Sequence, residues 1–160
     1  MKELQNGKYQ LVSLEHKQGF AFTWNAIAND HGIKTPITIY TVNSGLENDQ
    51  NYQAFVETLE REAQAIAQMR HSNFPEMTFF MENEIPYLVI ETIVGKSLQE
   101  EVQSNRAIPE QDAIAYFREI ADGLGELHQQ KVLHQNIYPK NIILSGDHAI
   151  LYLPKIPCCK

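Results

Sequence analysis

The amino-acid sequence predicts an α+β fold, with strands in the first part and helices in the second. Short apolar stretches with alternating character at residues 9–12, 20–24 and 37–40 are typical of strands. Apolar residues at helical spacing predict one helix at about 52–70 and a longer one at about 109–129. Strands concentrated before the longest helix favour an α+β arrangement over regular strand–helix alternation.

Composition limits the classes of function. The chain has 160 residues, of which 43% are hydrophobic and 21% charged, as in ordinary soluble domains. Its formal net charge of −7 disfavours nucleic acid and anionic membranes as partners, so we expect neither. No apolar run approaches the length of a membrane-spanning helix and the N-terminus lacks a signal-like segment, so we expect a cytoplasmic protein. Cys158 and Cys159 are adjacent, which suits neither a disulfide framework nor a metal site, and no metal is expected.

The helix predicted at 52–70 follows a hairpin and a third strand. Its apolar stripe consists of Phe55, Leu59, Ala63, Ile66 and Met69. Glu62 falls on the same face, which is unusual for a carboxylate unless it is paired. Two further strands are predicted at 77–81 and 87–90, joined by a polar turn at 82–84.

The second part opens with a capping box. Ser97 and Glu100 have the spacing of this motif and predict a short helix to about residue 103. Pro109 then starts the long helix, and Gly123 and Gly125 within it predict close packing. The predicted buried stripe of this helix is Ile114, Phe117, Ile120, Leu124 and Leu127.

A loop after the long helix carries the most informative motif. His134 is followed seven residues later by Asn141 and then by an apolar strand. This resembles the catalytic loop of protein kinases, H-R-D-L-x-x-x-N, with Gln135 in place of the Arg and Asn136 in place of the catalytic Asp.

Other segments follow in the order of that family. The family's glycine-rich loop corresponds to a hairpin with His16, Gln18 and Ala21 at the glycine positions. Its V-A-I-K strand corresponds to 37–40, with Tyr40 in place of the Lys. If the alignment continues from Asn141 without gaps, the family's D-F-G motif corresponds to residues 154–156, which begin at Pro154.

The resemblance spans about residues 8–154 and is strongest to bacterial serine/threonine kinases of the eukaryotic type. It implies a single kinase-like domain, 1–160, with a β-rich N-lobe at 8–90 that includes one long helix and a hinge at 91–96. The helical first part of a C-lobe would follow at 97–160, truncated after the catalytic-loop region. An unrelated α+β domain is the alternative.

The resemblance also implies where a nucleotide would lie. The corresponding positions are Thr38, Glu62, Glu91, Ile93, Asn141 and Ile143. In the family the Glu of the helix pairs with the Lys of the strand. Here Glu62 would bond another donor, such as the Tyr40 hydroxyl, or lie at the surface. His134 has a structural role in the family, and Asn141 could cap its own loop.

Three of the four groups on which phosphoryl transfer depends are replaced at Tyr40, Asn136 and Pro154. We therefore expect a pseudokinase: not an enzyme, but a catalytically inactive scaffold or a regulatory protein-interaction module. No cofactor is expected, although the resemblance implies ATP and Mg²⁺. The alternatives are an adenine-nucleotide or small-ligand sensor and a weak serine/threonine kinase. We also expect a protein partner or a homo-oligomer to cover the truncated C-lobe surface.

Overall fold

The computed structural model describes residues 2–105 and 107–152 and divides into two compact units. The first unit contains the residues up to Gln68 together with Glu76–Thr92. The second contains Met69–Pro75 and the described residues from Ile93 onward. Strands dominate the first unit and the longest helix lies in the second, as the sequence predicts.

The first unit is built on a six-stranded antiparallel sheet with the strand order β1-β2-β3-β4-β6-β5. Its main core lies on one face, where the rings of Tyr9 and Tyr87 both stack on Phe80. Ile37 and Ile39 of β4 reach the same core, because alternate residues of a strand share a face. The strands are β1 (Lys2–Leu4), β2 (Tyr9–Gln18), β3 (Ala21–Asp30), β4 (Ile33–Val42), β5 (Met77–Glu82) and β6 (Ile85–Glu91).

Helix α1 (Tyr52–Ala67) packs against β5 and β6 through its predicted apolar stripe. It ends three residues before the predicted end at Arg70. The Gln68 N–H already bonds the carbonyls of Ala65 and Ile66, which tightens the last turn. The prediction was too long because Met69 is also buried and continues the apolar pattern beyond the helix.

The second unit contains two helices and a small antiparallel sheet, β7-β8-β9. The capping box is confirmed, since Glu100 accepts from the Ser97 N–H and hydroxyl while its own N–H donates to the Ser97 hydroxyl. The Ser97 hydroxyl bond is the main cause of a lowered pKa of Glu100. The elements are β7 (Lys96–Ser97), α2 (Leu98–Asn105), α3 (Glu110–Gln129), β8 (Ile142–Ser145) and β9 (His148–Leu151).

Only part of the stripe predicted for α3 is buried. Ile120 and Leu127 are buried, at 4% and 0% exposure, but Ile114 is 43% and Phe117 63% exposed. The prediction was wrong for these two residues, because helical spacing identifies an apolar face without showing what covers it. Both glycines were also expected to mark close packing. That expectation holds at Gly123 only, since a Cβ at Gly125 would have no neighbour within 4 Å.

The turn between α1 and β5 supports the small sheet of the second unit. Asn73 donates from its side chain to the Ala149 carbonyl at 2.9 Å, and its own carbonyl accepts from the Leu151 N–H at 2.8 Å. On α3, Glu119 accepts from the Ala149 N–H at 2.7 Å and contacts the His148 ring at 2.8 Å. Strand β9 is therefore held by polar groups that lie outside the sheet.

Candidate functional site

In the first unit, β4 presents the predicted nucleotide-contact residue Thr38 and the replacement residue Tyr40 on the sheet face opposite the main core. Thr38 and Tyr40 are each 9% exposed. Tyr40 pairs with Thr23 on one side and Leu88 on the other. A phenol is neutral at pH 7, so this position supplies no positive charge to a phosphate.

Glu62 lies at the edge of the buried face of α1, with its side chain 32% exposed. Burial raises the pKa of this carboxyl, and the Arg61 guanidinium, 4.0 Å away, partly opposes the shift. The sequence predicts that Glu62 faces inward, and the structure shows a side chain that is only partly buried. Its pairing with Tyr40 stays a prediction.

The β2–β3 hairpin stands where the family has its glycine-rich loop. Gln18 pairs with Ala21, and His16 with Thr23, so the strands continue to a two-residue turn. Gly19 occupies that turn with φ +56°, a conformation that glycine adopts without strain. These strands are ten residues each, longer than predicted, and leave the hairpin residues bonded to one another rather than open toward a phosphate.

In the second unit, His134 is buried at 2% exposure. Its Nδ1 accepts a hydrogen bond from the Asn136 N–H at 3.2 Å, which places the proton of the neutral ring on Nε2. Burial lowers the pKa of His134 to about 4, and the backbone of Tyr152 acts weakly in the opposite direction. Among the described residues, no hydrogen-bond partner lies within reach of the buried Nε2 atom. The neutral imidazole accepts a bond from its own loop, and the structural role that the resemblance implies for it stays a prediction.

Asn141 bonds across the same loop. Its side-chain nitrogen donates to the Asn136 carbonyl at 2.9 Å, and its N–H donates to the Tyr138 carbonyl at 2.8 Å. Its own carbonyl accepts from the Tyr152 N–H at 2.7 Å. Gln135, beside His134, has φ +54°, a strained conformation for this residue type. These bonds stabilise the strained loop, and they fit the loop-cap interpretation of Asn141.

The remaining predicted positions are divided between the two units. Glu91 ends β6 in the first unit, where its N–H donates to the Glu76 carbonyl at 3.0 Å. Ile93 belongs to the second unit, as does Ile143, which pairs with Ser97 and Ile150 within the small sheet. Pro154 lies outside the described residues. None of the roles proposed for these positions is tested by their placement.

Two further features bear on the class of protein. No helix among the described residues is long and apolar enough to cross a membrane. Residues 2–105 and 107–152 contain no group of three or more His, Cys, Asp or Glu side chains arranged to hold a metal ion.

The sequence analysis did not identify Asn73 and Glu119, whose polar side chains hold β9. Their long-range partners follow from the tertiary structure and left no local signal.

The sequence matches the protein kinase domain family over residues 34–156. Serine/threonine-protein kinase B of Synechocystis sp. is 33% identical over 86% of this chain and 24% of that protein. Serine/threonine-protein kinase PksC of Streptomyces coelicolor is 28% identical over 90% of this chain and 27% of that protein. The chain thus spans about a quarter of the length of these curated relatives.

Solved structures confirm the kinase-like fold. The PknI kinase domain of Mycobacterium tuberculosis superposes with a TM-score of 0.67 at 15% identity, over 94% of this chain and 60% of that one. PpkA-294 in its apo form gives 0.64 at 20% identity, over 91% of this chain and 57% of that one.

The relatives also correct one expectation. We expected a protein that is not an enzyme, because of the residues at Tyr40, Asn136 and Pro154. The relatives are serine/threonine protein kinases, which are enzymes, and residue replacements alone do not establish a loss of activity. The expectation of a protein that is not an enzyme was therefore wrong, because the relatives of this chain are enzymes. With its match over most of the sequence and its kinase-like fold, this chain belongs to the protein kinase domain family.

Proposed function

We propose that this chain acts in serine/threonine phosphorylation signalling as a regulatory kinase-domain module that binds a protein partner. The observation that carries the proposal is the exposed apolar side chain of Phe117, 63% of which is accessible on α3. Ile114, one turn earlier, is 43% exposed. Large apolar side chains that stay exposed next to each other on a helix are typical of interaction surfaces.

The loop at 134–141 supports a binding role in a second way. The amide of Asn141 and the ring of His134 are both engaged in bonds that close the loop. A loop fixed by its own residues gives the second unit a defined surface without requiring a bound ligand. Pre-organised surfaces bind with less loss of conformational entropy, which favours recognition of a partner.

Site-specific photo-cross-linking in the native host tests the proposal. Phe117 is replaced by p-benzoylphenylalanine, and a matched variant carries the same group at Ile33, which is 71% exposed in the first unit. We expect a discrete cross-linked protein from position 117 and none from position 33. The same products from both positions, or none from position 117, would contradict the proposal.

The same samples separate regulation from phosphoryl transfer. The cross-linked complex is incubated with γ-labelled ATP and Mg²⁺, and label on the partner is measured against a complex whose chain carries Asn136→Ala. Label that requires Asn136 would make the captured protein a substrate and replace the regulatory role with the catalytic activity of the family. Equal label in both complexes leaves the regulatory role in place.

A further inference from the structure

Strand β1 forms one end of the six-stranded sheet and is only three residues long. Its Leu4 side chain is buried in the main core at 1% exposure. The Lys2 ammonium lies 3.3 Å from the Tyr87 hydroxyl and 5.9 Å from the centre of that ring. A short strand with one buried apolar side chain can detach at a lower cost than the longer strands beside it. The pairs that β1 forms with β2 are Lys2↔Leu11, Glu3↔Gln10 and Leu4↔Tyr9.

The turn from β1 to β2 holds its backbone in a conformation that suits only part of its sequence. Gln5, Asn6 and Gly7 have φ values of +48°, +55° and +85°. Glycine adopts this left-handed region without strain and asparagine enters it more readily than most residues, whereas glutamine rarely does. The Gln5 N–H donates to the Glu82 carboxylate at 2.9 Å, which helps to keep the turn closed. An extended backbone at these residues would release the strain.

The turn ends at Lys8, because the carbonyl of this residue accepts the Asn29 N–H at 2.8 Å. The segment that can open therefore consists of Gln5, Asn6 and Gly7, and it spans about 10 Å when extended. From Tyr9 onward, β2 pairs with β3 as well as with β1. Strand β1 can thus leave its own β2 while the rest of the sheet stays paired.

The place that β1 occupies is built by other strands. The rings of Tyr9 and Phe80 stack at a centroid distance of 5.4 Å, and those of Phe80 and Tyr87 at 5.0 Å. Leu4 belongs to the same core cluster. Departure of β1 would uncover this cluster together with an unpaired edge of β2. An apolar surface beside an open strand edge favours the arrival of another strand.

We propose that β1 is exchanged between two copies of this chain, so that each first unit of a dimer is completed by the β1 of the other copy. The segment that the structure shows to fit this place is β1 itself. A second copy can bury the same Leu4, direct the same Lys2 toward Tyr87 and form the same three pairs. Exchange of identical elements is a low-cost route to a dimer, and a short strained turn favours it.

Charge sets the conditions under which the dimer forms. Each chain has a formal net charge of −7, so two copies repel each other at low ionic strength. Salt screens this repulsion between exposed charges, whereas the exchanged contacts are mainly apolar and backbone contacts. We therefore expect added salt to favour the dimer. The exchange involves the first unit alone and does not depend on the role proposed for Phe117 in the second.

Two substitutions at Asn6 should shift the exchange in opposite directions. Valine is β-branched, which disfavours the positive φ of the closed turn and favours an extended backbone, whereas glycine accepts the closed turn without strain. We expect Asn6→Val to lower the dissociation constant of the dimer by about tenfold or more relative to Asn6→Gly. Sedimentation velocity over a series of protein concentrations measures the dissociation constants of both variants and of the unmodified chain.

A disulfide across β1 and β2 distinguishes an exchanged strand from a contact between two intact surfaces. Glu3 and Gln10 are directly opposite each other, and β-carbons of such residues lie about 5 Å apart, close to the span of a disulfide. Glu3→Cys and Gln10→Cys are combined in a chain whose Cys158 and Cys159 are changed to serine. The dimer fraction is oxidised and separated on a denaturing, non-reducing gel. The isolated monomer is the matched control and should form only an internal disulfide.

We expect covalently linked chains from the dimer fraction, in a larger amount when Asn6→Val is added. Three results would overturn the exchange: no dimer of either the unmodified chain or Asn6→Val, a dimer fraction with internal disulfides only, or equal dissociation constants for Asn6→Val and Asn6→Gly. Circular dichroism of each fraction verifies that the sheet remains folded. If Asn6→Val does not fold, Gln5→Val and Gln5→Gly provide the same comparison at the neighbouring residue.

Discussion

The two ends of α3 have the same apolar periodicity and opposite environments. Toward the C-terminal end, Leu127 is fully buried, and a Cβ added at Gly123 would lie 3.0 Å from the ring of Phe74. Toward the N-terminal end, Phe117 and Ile114 are exposed beside an open groove. The same helical pattern thus contributes to the core at one end and to an accessible surface at the other.

The difference arises from the segments that pack against each end. The turn containing Asn73 and Phe74 reaches the C-terminal half, and Phe74 also packs near the buried ring of His134 at a centroid distance of 6.5 Å. Near the N-terminal half, α2 contributes Val102 to a groove that remains open. Truncation of apolar side chains of equal size should therefore lower the free energy of unfolding by different amounts at the two ends of α3.

Truncation of Leu127 should give the largest effect. Leu127→Ala leaves a cavity in the packed end and should lower the free energy of unfolding by about 3 kcal/mol. The matched truncation, Ile114→Ala at the open end, should cost less than about 1 kcal/mol. Urea unfolding followed by circular dichroism at 222 nm measures both. Equal losses at the two positions would remove the distinction between the ends of α3.

The buried ring of His134 predicts a loss of stability in acid. Its folded-state pKa of about 4 lies below the ordinary value of 6.5, so the neutral ring's contribution is complete above pH 6.5. As the pH falls from 6.5 toward 4, the unfolded chain binds the proton first, and the contribution is lost over that interval. By pH 5 the loss should be about 2 kcal/mol.

Urea unfolding at pH 7.5 and pH 5 measures this dependence. His134→Leu retains an apolar side chain of similar size but cannot titrate, so its stability should change less between the two pH values. The variant will be less stable at pH 7.5, because the Asn136 N–H loses its acceptor. A pH dependence identical to that of the unmodified chain would assign the effect to other groups.

The two glycines of α3 provide a matched pair. Gly123→Leu introduces a side chain against Phe74 and should destabilise the fold by about 2 kcal/mol, as overpacking does. Gly125→Leu extends into open space and should gain up to about 1 kcal/mol from helix propensity. Thermal unfolding of the two variants should give shifts of opposite sign. Shifts of the same sign would mean that Gly123 is less constrained than its neighbours indicate.

Phe117→Ala should have the smallest effect on stability, within about 0.5 kcal/mol, because the side chain is mostly exposed. Its effect should instead be seen in the binding of the partner protein. A loss of stability comparable to that of Leu127→Ala would make Phe117 a core residue and contradict its role in an open groove.

Local patterns in the sequence predicted much of the fold correctly. The capping box at Ser97, the turn between β5 and β6 and both main helices depend on neighbours in sequence, and the structure has all of them. The order of the degenerate motifs around His134 and Asn141 predicted the family, which its matches confirm. The loss of activity expected from the replaced residues was the weaker inference, because replacements at three positions do not establish inactivity when the relatives are enzymes.

The amino-acid sequence by itself determined the elements, their apolar faces and the family, because these depend on residue spacing and order along the chain. Tertiary structure decided which half of α3 is covered, how Asn73 and Glu119 hold β9, and that an apolar groove stays open between α2 and α3. Each of those features joins residues far apart in sequence. Burial and the proximity of polar groups depend on distances in space between separate segments. The spacing of residues along one helix or strand does not determine those distances.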